Sequence, residues 1–236
     1  MDGLKPKKGT LTFDSEGQEG GPYHSRKLHV PSMTSGLTIG RGYDMKTKSA
    51  AQIQADLHAA GVADGDAKVL SGAAGLFGQA AKDFITANKL QAFEIGTDAQ
   101  VKLFDISYAA EFAEVKRISG KEDTKKAYGA VDWDKTDPAI QDVIIDLKFR
   151  GDYTSASRTM VQKYLATNDL EHLAAVLSKR ENWPNVPQDR FNRRKDFINK
   201  AVDEMKKARQ AAPPPARKPQ PGTGHINMVP PAHHFG

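Results

Sequence analysis

The strongest constraint on the fold is an amphipathic pattern between residues 97 and 120. Apolar side chains recur there at intervals of three or four residues, which is the spacing of one face of an α-helix. Thr97 can cap the start of this helix, and Gly120 can end it. We therefore predict a long helix with one buried face, and we interpret its aromatic residues as core rather than as a ligand site. The repeating residues are Val101, Phe104, Tyr108, Phe112 and Val115.

Helical patterns also occur on both sides of this segment, each with its own start or stop signal. The segment from Lys121 to Asp137 is polar and rich in turn residues, so we predict it as a connection. In total we expect about seven helices. Besides the long one, they are a helix from Ser49 to near Gly61, a helical region from Asp66 to Leu90 broken around Gly72 to Gly78, a central helix from Ala139 to Phe149 opened by Asp137 and Pro138, one from Thr154 or Ser155 to about Thr167, one capped by Asn168 and running to about Lys179, and a charged helix from Gln188 to Arg209.

The first 45 residues follow a different pattern. Two short apolar or β-branched runs, 10–13 and 37–39, are separated by a stretch rich in Gly, Ser and Pro, and each run leads into a carboxylate, Glu16 or Asp44. This layout predicts a small irregular β-element that presents two acids on loops. Loops this long are uncommon in a compact domain unless they have a function, so 17–36 indicates a binding or reactive surface. The fold class is α+β, predominantly α-helical.

Composition limits the possible partners and compartments. The net charge of +5 favours an anionic partner, although much of the excess lies near the two ends of the chain. There are no cysteines, so disulfides and thiolate metal sites are excluded. No apolar run is long enough to span a membrane, and the start of the chain lacks the apolar core of a secretory signal. We predict a flexible leader at 1–9, one globular domain at 10–210 and a Pro-rich disordered tail at 211–236.

From the residues alone, the candidate site residues have ordinary explanations as well as functional ones. Glu16 is one of three acids within six positions and could be a solvated loop charge. Thr38 could hold a water molecule or simply be a strand residue, and Asp44 could cap the next helix. His24 and His29 lie in the long loop, where exposed loop histidines are the simpler interpretation. The same holds for the tail histidines, so we expect no metal and no cofactor; these are His225, His233 and His234.

One segment resembles a known family. Glu16 followed by SGLTIGRGYD at 35–44 is similar to the catalytic segment of phage-type lysozymes, and most similar to the lysozyme domain of pesticin-like bacterial toxins. In that toxin group the order along the chain is Glu, Thr and then an Asp six residues later, as in Glu16, Thr38 and Asp44. Weaker similarity continues in LKFRGDYT at 147–154 and RFNRRKDFIN at 190–199. The resemblance covers most of 10–210, but only its first segment is specific.

The resemblance implies a lysozyme-like fold whose small N-terminal β-element carries the active site of a muramidase. Its substrate would be the β-1,4 bond between N-acetylmuramic acid and N-acetylglucosamine in peptidoglycan. Glu16 would be the general acid, with Asp44 as the base and Thr38 orienting water. The resemblance also implies inversion, for which the two carboxyl groups lie roughly 6.5 to 9.5 Å apart.

Further residues are predicted around this trio. Tyr23, Tyr43 and Arg150 are candidate substrate contacts, although a structural ion pair explains Arg150 equally well. Arg193 and Arg194 are expected to brace the last helix against the core.

Three hypotheses about biological role remain open. The first is an antibacterial toxin or secretion-system effector, made without a signal peptide, acting in the periplasm of a target bacterium and paired with an immunity protein. The second is a phage endolysin with the same chemistry. The third is a catalytically silent module that binds cell wall or an inhibitor. The order Glu, Thr, Asp favours the toxin. We expect a monomer that binds peptidoglycan glycan strands, without nucleic acid and without membrane insertion.

Overall fold

The computed structural model describes residues 4–21 and 24–211, and this part of the chain is predominantly helical. It contains ten α-helices, one short 3₁₀ helix at Arg180–Asn182 and one two-stranded antiparallel sheet. The predicted α+β class with mostly helical content is therefore confirmed. The helices are α1 Thr10–Ser15, α2 Ala50–Ala59, α3 Asp64–Ser71, α4 Gly78–Ala87, α5 Thr97–Ser119, α6 Glu122–Tyr128, α7 Pro138–Arg150, α8 Ser155–Ala166, α9 Leu170–Leu177 and α10 Gln188–Ala211; the strands are β1 Thr38–Ile39 and β2 Tyr43–Asp44.

Three predicted helix starts are confirmed by their capping hydrogen bonds. The side chain of Ser49 accepts a hydrogen bond from the backbone N–H of Gln52 at the start of α2. Asp137 caps α7 in the same way, with proline at the first helical position. Thr154 forms a reciprocal capping box with Ser157 at the start of α8. These caps satisfy backbone N–H groups that the first turn of a helix leaves unpaired. Because each capping side chain bonds to a residue only two or three positions away, these helix starts can be predicted from the local sequence.

Two other predicted caps are displaced by one residue. The residue before α5 is Gly96, and Thr97 is the first residue of the helix. Asp169 caps α9, whereas Asn168 adopts a left-handed backbone with φ of 53°. The side chain of Asn168 instead links the loop between α8 and α9 to the loop before α7. It accepts a hydrogen bond from the Asp137 N–H at 2.7 Å and donates one to the Lys135 carbonyl at 2.9 Å.

The segment predicted as a plain connection contains a helix that the sequence pattern does not reveal. Helix α6 has a single buried residue, Thr124, so it has almost no apolar periodicity to detect. Its charges nevertheless suit a helix, with Glu122 and Asp123 in the first turn and Lys125 and Lys126 in the last.

The prediction of a β-run at 10–13 was wrong, because these residues form α1. Leu11, Thr12 and Phe13 are buried one after another, and α1 packs against α7 and α10. Tertiary packing thus decides the conformation of a segment too short to have a strong local preference. Within the segment predicted as a flexible leader, Pro6 is buried and Lys5 pairs with Asp14.

The second predicted β-run does form a strand. Thr38 pairs with Asp44 and Ile39 with Tyr43, and a three-residue turn, Gly40 to Gly42, joins the strands. Both of these glycines have positive φ, 63° and 84° respectively, which explains why the turn can be so tight.

The buried apolar side chains form three clusters. The largest is built by helices α7 to α10 with parts of α1 and α5, and includes Ile144, Leu173 and Ile198. A second cluster packs the hairpin against α2, α3 and α4. A small aromatic cluster around Phe104 contains Phe13 and lies beside α1. Across the described ranges, none of the helices combines the length and apolarity needed to cross a bilayer.

Candidate active site

A cleft of about 860 Å³ opens where four parts of the chain meet. One wall is the end of α1 together with the loop that follows it. The first turns of α10 contribute Asp189 and Arg193, and the hairpin contributes Thr38 and Gly42. The predicted reactive loop therefore lies on a cleft of the size that ligand sites have. Its remaining lining residues include Asp14, Glu16, Gln18, His24, Lys27, His29, Gln91, Asp189 and Arg193.

Glu16 lies at the end of α1 with its carboxyl group largely inside the fold. Its backbone N–H donates to the Thr12 carbonyl at 2.9 Å, and its side chain is 20% exposed. Arg190 Nη1 donates to Glu16 Oε1 at 2.7 Å. Burial raises the pKa of Glu16, Arg190 opposes this, and the nearby charge of Asp146 adds to the rise, so the net direction is upward. The carboxyl group therefore keeps its proton to a higher pH than an ordinary glutamate.

Thr38 and Asp44 pair directly across the hairpin, so their side chains lie on the same face of the sheet. Thr38 is 4% exposed and lines the cleft, and its hydroxyl donates to the Gly36 carbonyl at 3.2 Å. That bond leaves the oxygen lone pairs free to accept a hydrogen bond from water.

Asp44 is held by backbone donors. The Gly36 N–H lies 3.1 Å from Asp44 Oδ2, and the Lys46 N–H lies 2.7 Å from Oδ1. Asp44 is not among the residues that line the cleft, unlike Glu16 and Thr38.

Two of the predicted substrate contacts, Tyr43 and Arg150, do not line the cleft. Tyr43 is 1% exposed in the second apolar cluster, and its hydroxyl donates to Asp56 Oδ2 at 2.8 Å, so its position does not support a substrate contact. Burial raises the pKa of Tyr43, and the Asp56 carboxylate adds to this. Arg150 pairs with Asp152 and donates to the Asn185 carbonyl at 2.9 Å, which is the structural role left open above. Tyr23 lies outside the described residues.

The residue that contacts Glu16 was missed by sequence reasoning. Arg190 bridges Glu16 and Asp146, with Nη2 at 2.6 Å from Asp146 Oδ1. Asp146 is fully buried and also accepts from Arg194 Nε at 2.9 Å and Thr12 Oγ1 at 3.1 Å. A signal was present, because Asp146 interrupts the apolar run of the central helix, and an acid there needs a buried partner.

Of the two arginines expected to brace the last helix, only one does so. Arg194 is 2% exposed and bonds to Asp146 and Asp152. Arg193, one residue earlier, is exposed and lines the cleft. Neighbouring positions on a helix point about 100° apart, so the two side chains cannot share one face.

The two loop histidines also differ from each other. His24 Nδ1 accepts from the Gly20 N–H at 2.7 Å, and Nε2 lies 3.0 Å from Glu94 Oε1. With a side chain only 10% exposed, His24 anchors the loop and is not an ordinary exposed histidine. His29 lines the cleft, and its Nδ1 lies 3.0 Å from the Lys27 carbonyl oxygen. Over the ranges 4–21 and 24–211, no group of three or more acidic, histidine or cysteine side chains is arranged to hold a metal ion.

The described part of the chain is mostly helical, and a partly buried acid, Glu16, lies in its cleft at the end of α1. The chain belongs to the family DUF8812, described as a domain of unknown function, which matches residues 9–195. The match spans α1, the hairpin, all of the cleft-lining residues and the first turns of α10. No curated protein sequence matches this chain.

Proposed function

We propose that this protein is a peptidoglycan hydrolase of the muramidase type, with Glu16 as its general acid. The observation that carries the proposal is the state of Glu16: its carboxyl group lines a cleft, yet burial raises its pKa. A general acid must be protonated at the working pH, and enzymes achieve this by burying a glutamate. The resemblance of 35–44 to lysozyme catalytic segments gives the reaction class.

Glu16 would protonate the glycosidic oxygen as the bond to the leaving sugar breaks. Its second oxygen, Oε2, faces Gly42, where an added Cβ would lie 3.5 Å from it. Arg190 holds Oε1, so the proton is delivered from a fixed position. After the transfer, the Glu16 carboxylate that forms is stabilised by the Arg190 guanidinium.

Asp44 would act as the base through a water molecule that Thr38 orients. Thr38 lines the cleft and lies opposite Asp44 in the hairpin, so a water near Thr38 Oγ1 could be shared between the two. Because Asp44 does not line the cleft, we assign it the role of base for a water molecule rather than that of a nucleophile. This agrees with the inverting outcome that the resemblance implies.

The biological role proposed for this activity is that of an antibacterial toxin acting in the periplasm of a target bacterium. The support is the order of Glu16, Thr38 and Asp44 along the chain, together with a net charge of +5 that suits an anionic wall polymer. Such a toxin would need an immunity protein. A neighbouring gene for a small secreted inhibitor would support this role, whereas an adjacent holin gene would support an endolysin.

The test is reducing-end release from purified Gram-negative sacculi by the wild type and Glu16→Gln. We expect the variant to lose at least about 100-fold in rate, because glutamine cannot donate the proton. Glu111→Gln is the matched control: Glu111 is also partly buried and pairs with a cation, Lys148 at 2.6 Å, but it lies away from the cleft. All three proteins should have the same circular dichroism spectrum.

The products identify the bond that is cut. A muramidase leaves N-acetylmuramic acid at the new reducing end, whereas a glucosaminidase leaves N-acetylglucosamine, and mass spectrometry after borohydride reduction separates the two. Equal rates for wild type and Glu16→Gln would show that Glu16 is not the acid. An inactive wild type that still sediments with sacculi would favour the wall-binding module.

A further inference from the structure

We propose that Arg41 is a positioning residue that fixes Glu16 relative to Thr38 and Asp44. The inference rests on the proposed function for the role of Glu16. Arg41 does not line the cleft, and nothing in the sequence pattern singled it out. Its importance comes from the two parts of the chain that it joins.

Arg41 is the middle residue of the hairpin turn. Thr38 and Asp44 lie three residues on either side of it, and their strands are paired in a fixed register. The flanking glycines, Gly40 and Gly42, have positive φ, which permits the tight turn. Any contact made by the Arg41 side chain therefore positions the whole hairpin.

The guanidinium contacts the backbone on both sides of Glu16. Arg41 Nη1 donates to the Phe13 carbonyl at 2.7 Å and to the Gly17 carbonyl at 2.6 Å. The first of these carbonyls belongs to the last turn of α1, where carbonyls lack partners within the helix. The backbone of Glu16 is thus fixed by Arg41 before and after it, while Arg190 fixes its carboxyl group.

Packing around Arg41 leaves little freedom. The guanidinium lies 4.1 Å from the centre of the Phe13 ring, and the Arg41 side chain is only 8% exposed. Gly17 has no space for a side chain, because a Cβ would lie 2.0 Å from Ser25 Oγ and 3.3 Å from Arg41 Cγ. Residue 17 must therefore be glycine for the loop to close over Arg41.

The chemistry of the contact requires arginine. One planar guanidinium donates to two carbonyls and stacks on an aromatic ring, whereas a lysine ammonium cannot reproduce this geometry. Arg41 has little compensation from acids: its nearest carboxylate is Glu19, at 3.5 Å and 45% exposed. Burying a cation against carbonyls costs free energy. This cost argues that the placement of Glu16 relative to the hairpin, which Arg41 fixes, has a function.

Misplacing a reacting group by about 1 Å can cost roughly 100-fold in rate. The test variant is Arg41→Lys, which keeps the positive charge but cannot hold both carbonyls. We expect its kcat on sacculi to fall by about 10- to 100-fold, with KM within about threefold of the wild type, because the acid is displaced and the cleft is kept.

Arg26→Lys is the matched control. Arg26 also pairs with Glu19, at 3.0 Å, and also donates to a backbone carbonyl, that of Ile95 at 3.1 Å, but neither contact adjoins Glu16. We expect its kcat to stay within about threefold of the wild type. Equal kcat losses in Arg41→Lys and Arg26→Lys would overturn the inference. So would a kcat loss in Arg41→Lys that is fully explained by a lower thermal unfolding midpoint, because Arg41 would then have only a structural role.

A second readout does not depend on activity. The Glu16 N–H bonds to the Thr12 carbonyl, and its hydrogen exchange should be at least about tenfold faster in Arg41→Lys and unchanged in Arg26→Lys. Unchanged exchange in Arg41→Lys would overturn the inference. If the wild type is inactive but this exchange difference is found, the proposed function fails while the positioning by Arg41 stands.

The wild type alone also gives an answer if Arg41→Lys does not fold. Nuclear magnetic resonance of the arginine side chains should then show slowly exchanging Nη protons for Arg41, because Nη1 is buried and bonded twice. Rapid exchange of these protons with water would contradict the inference.

Discussion

Arg190 Nη1 lies 2.7 Å from Glu16 Oε1, and this bond joins the first helix to the last. The same guanidinium reaches Asp146, which has no exposed surface and lies in the middle of the protein. The carboxyl group of Glu16 is therefore linked to the buried Asp146 through Arg190. Burial, the largest effect on the Glu16 pKa, raises it, and the Arg190 guanidinium opposes this rise.

The raised pKa of Glu16 predicts how its ionisation affects stability. The folded protein binds this proton more tightly than the unfolded chain, for which the ordinary value is 4.5. The contribution of Glu16 to stability is therefore fully present below pH 4.5 and is lost as the pH rises through the folded-state pKa. Urea unfolding of wild type and Glu16→Gln at several pH values measures it.

We expect the wild type to lose free energy of unfolding relative to Glu16→Gln as the pH rises from below 4.5 to 7. Groups that do not interact with Glu16 titrate alike in both proteins and cancel in the difference. A difference that stays constant with pH would mean that the Glu16 pKa is not raised in the folded state.

Asp146→Asn should be strongly destabilising. Asp146 is the shared partner of two buried arginines, Arg190 and Arg194. Removing its charge leaves Glu16 to compensate Arg190 and Asp152 to compensate Arg194. Breaking a buried ion pair in this way costs about 3–5 kcal/mol. Urea denaturation measures the loss, with Asp98→Asn as the control, because Asp98 is a largely exposed acid that pairs with Lys102 along one helix.

The Asp98 variant should lose less than about 1 kcal/mol, as exposed ion pairs do. Similar losses at positions 98 and 146 would indicate that the buried network contributes no more than a surface pair.

Gly42→Ala should destabilise the hairpin turn beside Glu16. The position has φ of +84°, and a Cβ would lie 2.5 Å from Phe149 Cε1, inside the contact distance. Gly61→Ala separates the two effects, because Gly61 has a similar φ of +91° with nothing within 4 Å of its Cβ.

Both alanines incur the cost of a left-handed backbone, roughly 1–2 kcal/mol. The clash at position 42 should add about 1–3 kcal/mol, as overpacking does. Thermal unfolding of the two variants gives the difference, and equal midpoints would mean that Phe149 moves away without cost.

Much of the helical framework could be predicted from the sequence, because the signals are local. The stripe from Val101 to Val115 and the caps Ser49, Asp137 and Thr154 depend only on residues within one or two helical turns. Two segments could not be predicted this way. Helix α6 buries one residue and lacks a periodic face, and 10–13 has a strand-like composition but becomes α1 through packing.

The candidate site divides in the same manner. Glu16, Thr38 and Asp44 were named from the sequence through a motif, and Thr38 and Asp44 are close because a short turn joins their strands. The residues that hold Glu16 carry no such signal. Arg190 is 174 positions away from it along the chain, and Arg41 is recognisable only once the hairpin turn lies against the end of α1.

By itself, then, the sequence determined most of the helices, three of their caps and three candidate residues, because periodicity, capping and tight turns act over a few residues. Only the tertiary structure decided which charges are buried, which arginine contacts Glu16 and which of Arg193 and Arg194 faces the cleft. The physical reason is that burial and ion pairing depend on the distances between elements remote in sequence, and packing of the whole chain sets those distances.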